Sequence, residues 1–290
     1  MTSLRKRILI LDADGQAGLA AVQSLGRAGH EIHVGVRARA ALTESSRWCH
    51  FVYQQPHFVP INAATVWLEE LNDRFNFALV IPTTEAALRW MRALPEDHEL
   101  RRKAVLPANS SLDSALDKDI THANAIALGI PVASSRLLVS GTPMSDASTY
   151  PVVLKPVVSK VLVGKELISM SVAIARSAQE RESFLAAHLP FTNVQEQAWV
   201  PGRGVGVEML FDRGRLLWSF MHERLHEWPL TGGASTLRRA AEHDTLLIEQ
   251  SRQLLEWLAW HGVAMVEWRK AVDGGYHLIE INPTYGAHCH

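Results

Sequence analysis

The sequence predicts an α/β domain with a mostly parallel, doubly wound sheet, followed by α+β structure with antiparallel strands. Two observations lead to this fold class. Over residues 7–110, short apolar runs alternate with segments of helical periodicity, which is the pattern of repeated βαβ units. Beyond residue 190, the apolar runs are instead separated by short turns of the Asp-Gly type, which favour hairpins. We therefore expect three segments, with boundaries near residues 110 and 190.

The first segment begins with a buried strand at Arg7–Leu11, followed by a turn rich in Asp and Gly over residues 12–18. A helix over 19–28 is expected to stop at Gly29, because glycine is common just beyond a helix C-terminus. The same criteria predict strands at 31–36 and 78–81 and helices at 65–75 and 85–94. Only Gly15 and Gly18 occupy positions of a dinucleotide-binding glycine pattern, so a tight turn is the preferred interpretation there.

The later segments open with a predicted helix over 111–128, which stops at Gly129. A β-branched strand at 151–156 ends in proline, and Ser177 with Glu180 forms a capping-box pattern for a helix to 189. The remaining predicted elements are a hairpin of 204–210 with 216–221, a helix at 245–261, and a closing hairpin of 264–270 with 276–282.

Composition limits the function classes. Hydrophobic residues make up 47% and charged residues 20%, which is enough apolar material for a core. A net charge of −1 gives no sign of a nucleic-acid or membrane-surface partner. Cys49 and Cys289 do not form a disulfide framework, and no apolar run approaches the ~20 residues that span a bilayer. We expect a cytoplasmic protein.

The closing hairpin predicts a metal site. If Asp273-Gly274 forms a two-residue type I′ turn, Glu267 lies directly opposite Glu280, and Asn282 lies on the same face. Facing carboxylates repel, and a hard divalent cation would relieve that repulsion. Two unrelated acids on a solvated face are the alternative. A three-residue turn would move Glu267 to the other face of the sheet.

Two lysines are candidate phosphate ligands. Lys155 lies in an apolar, β-branched strand, where lysine is rare without an anionic partner. Its alternative is a lysine that extends to solvent from an edge strand. Lys118 follows Asp117, and by itself it fits a solvated helix face equally well.

Two further segments are candidates for ligand contact. Glu196 lies in an apolar strand and is suited to accept a hydrogen bond from an exocyclic amine, although an ordinary edge strand explains it as well. Arg224 and Arg238 flank a loop of glycine and hydroxyl residues over 231–236, and together they would clamp a carboxylate or a phosphate. A surface loop is the alternative. No nucleophile elbow, P-loop or zinc-ligand spacing is present.

In this order, the motifs resemble those of the ATP-grasp superfamily, and specifically its carbamoyl-phosphate-synthetase-like and biotin-carboxylase-like branch. The similar motifs are Asp117-Lys118 followed by Gly129-Ile130-Pro131, the strand at 151–156, Gln195-Glu196 with Val200-Pro201-Gly202, and Glu267 with Glu280-Ile281-Asn282-Pro283. The resemblance implies a Rossmann-like pre-ATP-grasp domain at 1–110, followed by a two-lobed ATP-grasp domain with lobes at 111–190 and 191–290.

The resemblance also implies ligands for particular residues. ATP phosphates would be held by Lys118, Lys155, Ser159 and Lys160, and adenine by Glu196 and the backbone of Gln197, Ala198 and Trp199. Glu267, Glu280 and Asn282 would hold one or two Mg²⁺ ions, and Arg224 and Arg238 would grip the acceptor carboxylate or the acyl phosphate.

The implied activity is that of a carboxylate–amine ligase, which activates a small-molecule carboxylate as an acyl phosphate for attack by an amine. A homodimer is a common state in the families that the chain resembles. Three features depart from those families: the expected glycine-rich lid at 157–166 holds only Gly164, Thr284 replaces an arginine after Asn-Pro, and the chain ends eight residues after Asn282, as in a fragment or shortened member. A non-catalytic, regulatory ATP-binding module is therefore a second interpretation, and an NAD(P)-dependent oxidoreductase a third.

Overall fold

The computed structural model describes residues 4–57, 61–142, 145–146, 149–158, 160–163, 166–228 and 234–284. They form two compact units. The first contains the residues up to Asn109 together with His261–Ala264, and the second contains Ser110–Trp260 and Met265–Asn282. No helix in the described ranges has the length and apolar character needed to cross a bilayer.

The first unit contains the predicted parallel sheet. Its strands are β1 (Arg7–Leu11), β2 (Glu31–Val36), β3 (Phe51–Gln54) and β4 (Leu79–Pro82), arranged in the order β3-β2-β1-β4. All three pairings are parallel. The α/β class predicted for this part of the chain is confirmed.

Helices and apolar side chains cover this sheet. The helices are α1 (Gln16–Arg27), α2 (Ile61–Phe75), α3 (Glu85–Ala93) and α4 (Glu99–Lys103), with a 3₁₀ turn at Leu42–Ser45. Strand β1 contributes Leu9 and Leu11 to one buried cluster and Ile8 and Ile10 to another. Alternate residues of β1 are thus buried on both faces, as parallel sheets require. Strand β3 and helix α4 were not predicted.

The remaining elements form antiparallel structure. Helices α5 (Asn109–Leu116), α6 (Lys118–Ala127), α7 (Ala178–His188) and α8 (Thr245–Trp257) accompany the strands β5 (Ser135–Leu138), β6 (Val152–Pro156), β7 (Lys160–Val163), β8 (Glu166–Ser169), β9 (Ala173–Ala175), β10 (Val194–Ala198), β11 (Gly202–Asp212), β12 (Arg215–Trp228), β13 (Ala234–Ala240), β14 (Gly262–Ala271) and β15 (Tyr276–Asn282). These strands form three sheets: one has the order β5-β10-β6-β9, a second has the order β13-β12-β11-β14-β15, and β7 pairs with β8 in a third. The predicted α+β class is confirmed for this part.

The prediction of a single helix over 111–128 is wrong, because the helical backbone is interrupted at Asp117. That residue is extended, with φ −100° and ψ 115°, and its carboxylate accepts hydrogen bonds from the backbone N–H groups of Asp119 and Ile120. Asp117 is therefore the N-cap of α6, and Lys118 is its first residue. The Lys118 N–H donates to the Val157 carbonyl at 3.0 Å, which ties the start of α6 to the segment after β6.

The segment expected to form a lid at 157–166 contains ordered β structure. Strands β7 and β8 pair as an antiparallel hairpin, from Lys160 opposite Ser169 to Val163 opposite Glu166. The run Val161-Leu162-Val163 has the β-branched and apolar character that favours strands. Gly164 and Lys165 lie outside the described residues.

Candidate functional site

The turn of the closing hairpin differs from the prediction. The Ala271 N–H donates to the Gly275 carbonyl at 2.7 Å, so the loop has three residues, 272–274, rather than two. Gly274 has a φ of 91°, in the left-handed region that a three-residue hairpin loop requires of one residue. The predicted two-residue type I′ turn is therefore wrong.

A bulge nevertheless brings the two carboxylates together. Near the loop, Trp268 pairs with Leu278, but the next residue pair is Glu267 with Glu280. Ile279 is the extra residue on β15, and it compensates for the change of register that the longer loop causes. Glu267 and Glu280 thus lie directly opposite each other on one face. The Asn282 side-chain amide is 3.4 Å from the Glu280 Oε1 atom.

Cations surround these two carboxylates. The Arg224 guanidinium donates to Glu267 Oε2, and Lys118 Nζ lies 3.4 Å from Glu280 Oε2. Burial raises the pKa of Glu267, and the charge of Glu280 adds to this, although Arg224 opposes it. Burial favours a higher pKa for Glu280 as well, but the charges of Lys118 and Lys155 outweigh this effect, so the pKa of that carboxyl is lowered.

Lys155 is buried in β6 and is held by a chain of polar side chains. Its Nζ donates to Gln197 Oε1 at 2.7 Å, and the Gln197 amide donates to His122 Nε2 at 3.0 Å. His122 Nδ1 in turn lies 3.2 Å from the Ser135 hydroxyl. Burial lowers the pKa of Lys155 to about 8, despite the opposing charge of Glu280. We call Ser135, His122 and Gln197 the lysine relay.

The lysine relay has a defined direction. Burial, together with the charge of Lys155, lowers the pKa of His122 to about 4, so the ring is neutral near pH 7. Because Nε2 accepts from Gln197, the ring proton is on Nδ1 and faces Ser135. His122 was not predicted as a site residue, because its spacing from the other site residues in the sequence is not distinctive.

Glu196 lies on the opposite face of the sheet from Lys155. In the pairing of β6 and β10, Gln195 is opposite Lys155 and Glu196 is opposite Leu154. Both oxygens of the buried Glu196 carboxylate are occupied: Arg136 Nε donates to Oε1 at 2.6 Å, and Arg181 donates to Oε2. Glu196 is thus the centre of a buried ion-pair cluster. Its role with adenine stays a prediction.

Arg224 reaches Glu267 by crossing an intervening strand. It lies on β12, whereas Glu267 is on β14, and β11 separates the two. The crossing occurs at Gly204, where an added Cβ would lie 2.6 Å from Arg224 Cδ. Arg238 on β13 is paired directly with Arg224, which places both candidate substrate-binding arginines side by side.

The contacts of the other candidate residues say less about a ligand. Lys160 begins β7, and Ser159 lies outside the described residues. The Ala198 N–H donates to the Ser134 carbonyl at 2.8 Å, and the Trp199 ring lies 5.4 Å from the Arg269 guanidinium carbon. The assignments of these four residues stay predictions.

The donor set at the closing hairpin fits a magnesium ion. Within the described ranges, no three His, Cys, Asp or Glu side chains gather as a metal-binding group. Mg²⁺ usually takes only one or two protein carboxylates, and substrate phosphates and water complete its shell. The buried Glu267 and the partly buried Glu280 are adjacent, with the Asn282 amide beside them, and they are the hard oxygen donors that this cation prefers.

Comparisons with known proteins bear on the fold. No family model and no curated protein sequence matches the chain. An L-amino acid ligase from Bacillus licheniformis superposes with a TM-score of 0.71 at 16% identity, over 97% of this chain and 68% of that one. A biotin carboxylase–β-γ-ATP complex from Campylobacter jejuni gives 0.68 at 13% identity, over 96% and 65%. A D-alanine–D-alanine ligase from Bacillus anthracis, complexed with ATP, gives 0.58 at 14%, over 97% and 87%. The chain therefore has the fold of the ATP-grasp superfamily, as its motifs predicted.

Proposed function

We propose that this protein is an ATP- and Mg²⁺-dependent ligase, which activates a carboxylate as an acyl phosphate and joins it to an amine. The observation that supports this most is the meeting of two cations, Lys118 and Arg224, with the paired carboxylates of Glu267 and Glu280 at a mostly buried site of an ATP-grasp fold. Two opposed carboxylates, each with a cation beside it, are better suited to binding a polyphosphate and its metal ion than to serving as a structural ion pair. The fold-level likeness to two amino acid ligases supports the same reaction class.

Lys118 and Lys155 have the chemistry to hold the phosphates of ATP. Lys155 uses one ammonium N–H for Gln197, which leaves two donors for phosphate oxygens. Lys118 begins α6, so the positive end of the helix dipole adds to its charge. Because the lysine relay fixes Lys155 from behind, its ammonium is already positioned, and little conformational entropy is lost when ATP binds.

Glu267, Glu280 and Asn282 would hold the metal. Bound Mg²⁺ would neutralise the negative charge that accumulates on the phosphates during transfer. The remaining work of the protein is positioning. Arg224 and Arg238 would bind the substrate carboxylate, so that one of its oxygens faces the γ-phosphorus. The attack forms the acyl phosphate and releases ADP, and the amine then displaces phosphate.

One observation favours a second candidate, a regulatory module that binds ATP without turning it over. Arg224, which would grip the substrate, is engaged with Glu267. An arginine already held by a carboxylate must exchange partners before it binds a substrate. A protein in which this exchange does not occur would retain ATP and release no ADP.

Calorimetric titration with ATP, with and without Mg²⁺, tests the proposal. We expect Mg²⁺-dependent binding in the wild type and its loss in Glu280→Gln. Glu223→Gln is the matched control, because Glu223 forms an exposed pair with Arg239. ADP release is then measured with the twenty amino acids as carboxylates and amines. Release that needs both substrates supports the ligase. ATP binding without release favours the regulatory module, and no binding at millimolar ATP contradicts both.

A further inference from the structure

A buried histidine and a partly buried glutamate form a pair next to the site, and this pair has no role in the proposal above. His222 is on β12 and Glu208 is on β11, and His222 Nδ1 lies 2.7 Å from Glu208 Oε1. The exposed fractions of the two side chains are 4% and 20%. An acid that orients the ring of a buried histidine is the arrangement found behind many general bases.

The pair leaves two buried polar atoms unsatisfied. Among the described residues, His222 Nε2 and Glu208 Oε2 have no hydrogen-bond partner. A neutral ring that donates its Nδ1 proton to Glu208 presents a lone pair at Nε2. Both unsatisfied atoms are then acceptors, and the pair has a net negative charge. Buried acceptors without a partner cost free energy. A ligand with a cationic N–H donor would remove that cost and would also match the negative charge of the pair.

Strand β11 is shaped to receive this ring. An added Cβ at Gly206 would lie 2.2 Å from His222 Cε1, so only glycine leaves room for the imidazole over the strand. In the same way, the missing side chain at Gly204 leaves room for Arg224 to cross β11 and reach Glu267. His222 and Arg224 are two residues apart on β12, so they share a face at a separation of about 6.7 Å along the strand. The histidine–glutamate pair therefore lies beside the proposed transfer site, on the same face of the sheet.

We propose that His222 and Glu208 bind the ammonium group of the amine substrate, and that His222 Nε2 is the base for its attack. This inference rests on the proposed ligase function. The ammonium first gives one proton to Nε2, which frees the nitrogen lone pair. That lone pair attacks the carbonyl carbon of the acyl phosphate, a C–N bond forms, and the C–O bond to phosphate breaks, with its electron pair leaving on phosphate. The nitrogen then gives its second proton to the departing phosphate, which leaves as HPO₄²⁻, and the amide is formed. A primary or secondary amine is thus the substrate class, since a tertiary amine has no second proton to lose on forming an amide.

An anion is the competing ligand for this pair. A doubly protonated imidazole would donate from Nε2 and attract a phosphate or carboxylate. The adjacent Glu208 Oε2 would then face that anion at short range and repel it. The charge of the pair favours the amine.

Comparing two nucleophiles tests the proposal. Hydroxylamine is unprotonated at neutral pH and traps acyl phosphates as hydroxamates without a base. We expect His222→Gln to form hydroxamate within threefold of the wild-type rate, but to form amide from an amino acid about 100-fold more slowly. Glu208→Gln should lose about tenfold in amide formation alone. His226→Gln is the matched control, because His226 is an exposed residue of the same strand.

Each other outcome has a defined meaning. Equal loss of both products in a His222→Gln variant that still binds ATP would overturn the proposal, and so would two unchanged rates. If His222→Gln does not fold, Glu208→Gln decides by the same ratio of amide to hydroxamate. A wild type that forms neither product from any of the twenty amino acids contradicts the ligase function itself. A wild type that forms hydroxamate, with variants that show no selective loss of amide, contradicts only the role of the pair.

Discussion

Replacing Glu196 by glutamine separates a structural role from a nucleotide-binding one. In the structure, Glu196 is bound by Arg136 on one oxygen and by Arg181 on the other. Glutamine has nearly the same shape, but its NH₂ group would face one of the two guanidinium groups as a second donor. The substitution therefore leaves the arginines without the charge that compensates them.

Burial determines the size of the effect. The Arg181 side chain is 4% exposed, so its charge cannot be solvated when its partner is lost, whereas Arg136 is 36% exposed and adds little. Removing one member of a buried ion pair costs about 3–5 kcal/mol. For a chain of this size, that lowers Tm by on the order of 10 °C.

The assay is thermal unfolding followed by circular dichroism, together with ATP titration at a temperature where the variant is folded. Glu223→Gln is again the control, because its partner Arg239 is 60% exposed and exposed pairs contribute about 0–1 kcal/mol. We expect a large drop in Tm and a change in ATP affinity of less than threefold. An unchanged Tm with weakened ATP binding would refute the structural role and favour contact with adenine.

Three further predictions concern the two lysines and the groups that position them. Asp117→Ala removes the N-cap of α6, so it should lower the free energy of unfolding by about 1 kcal/mol and weaken ATP binding. Asp117→Asn keeps a capping side chain and should retain both the stability and the ATP affinity. Urea unfolding measures the stability, and calorimetry measures the affinity. Because the pKa of His122 is lowered to about 4 in the folded state, the unfolded state binds the extra proton first, and stability should fall by about 3 kcal/mol as the pH drops from 6.5 to 4. Urea unfolding at several pH values in this range gives the free energy of unfolding as a function of pH. That free energy should change less with pH in His122→Gln than in the wild type, and the same pH dependence in both would contradict the lowered pKa of His122. Lys155→Met should weaken ATP binding about 30-fold or more, since one partner of a buried charged contact is lost. Calorimetry measures this, with Lys6→Met as the exposed-lysine control.

The sequence determined many of the strands and helices and the order of parallel before antiparallel structure, although β3, α4 and the break at Asp117 were not predicted. Strands β1, β2 and β15 have the predicted bounds, because apolar runs between turn signals specify a strand without reference to the rest of the chain. The pairing of Glu267 with Glu280 was also predicted, although for a partly wrong reason. The loop is one residue longer than expected, and the bulge at Ile279 restores the register. A bulge depends on how two strands pack, so the sequence alone does not indicate it.

Only the tertiary structure decided which side chains meet. Glu196 and Gln197 are neighbours in the sequence, yet one contacts arginines on one face of the sheet and the other contacts Lys155 on the opposite face. The relay through His122 and the His222–Glu208 pair join residues from separate elements. Periodicity specifies that a residue lies in a helix or strand. Which partners it has depends on burial and pairing between segments far apart in the chain, because these contacts exist only once the sheets have formed.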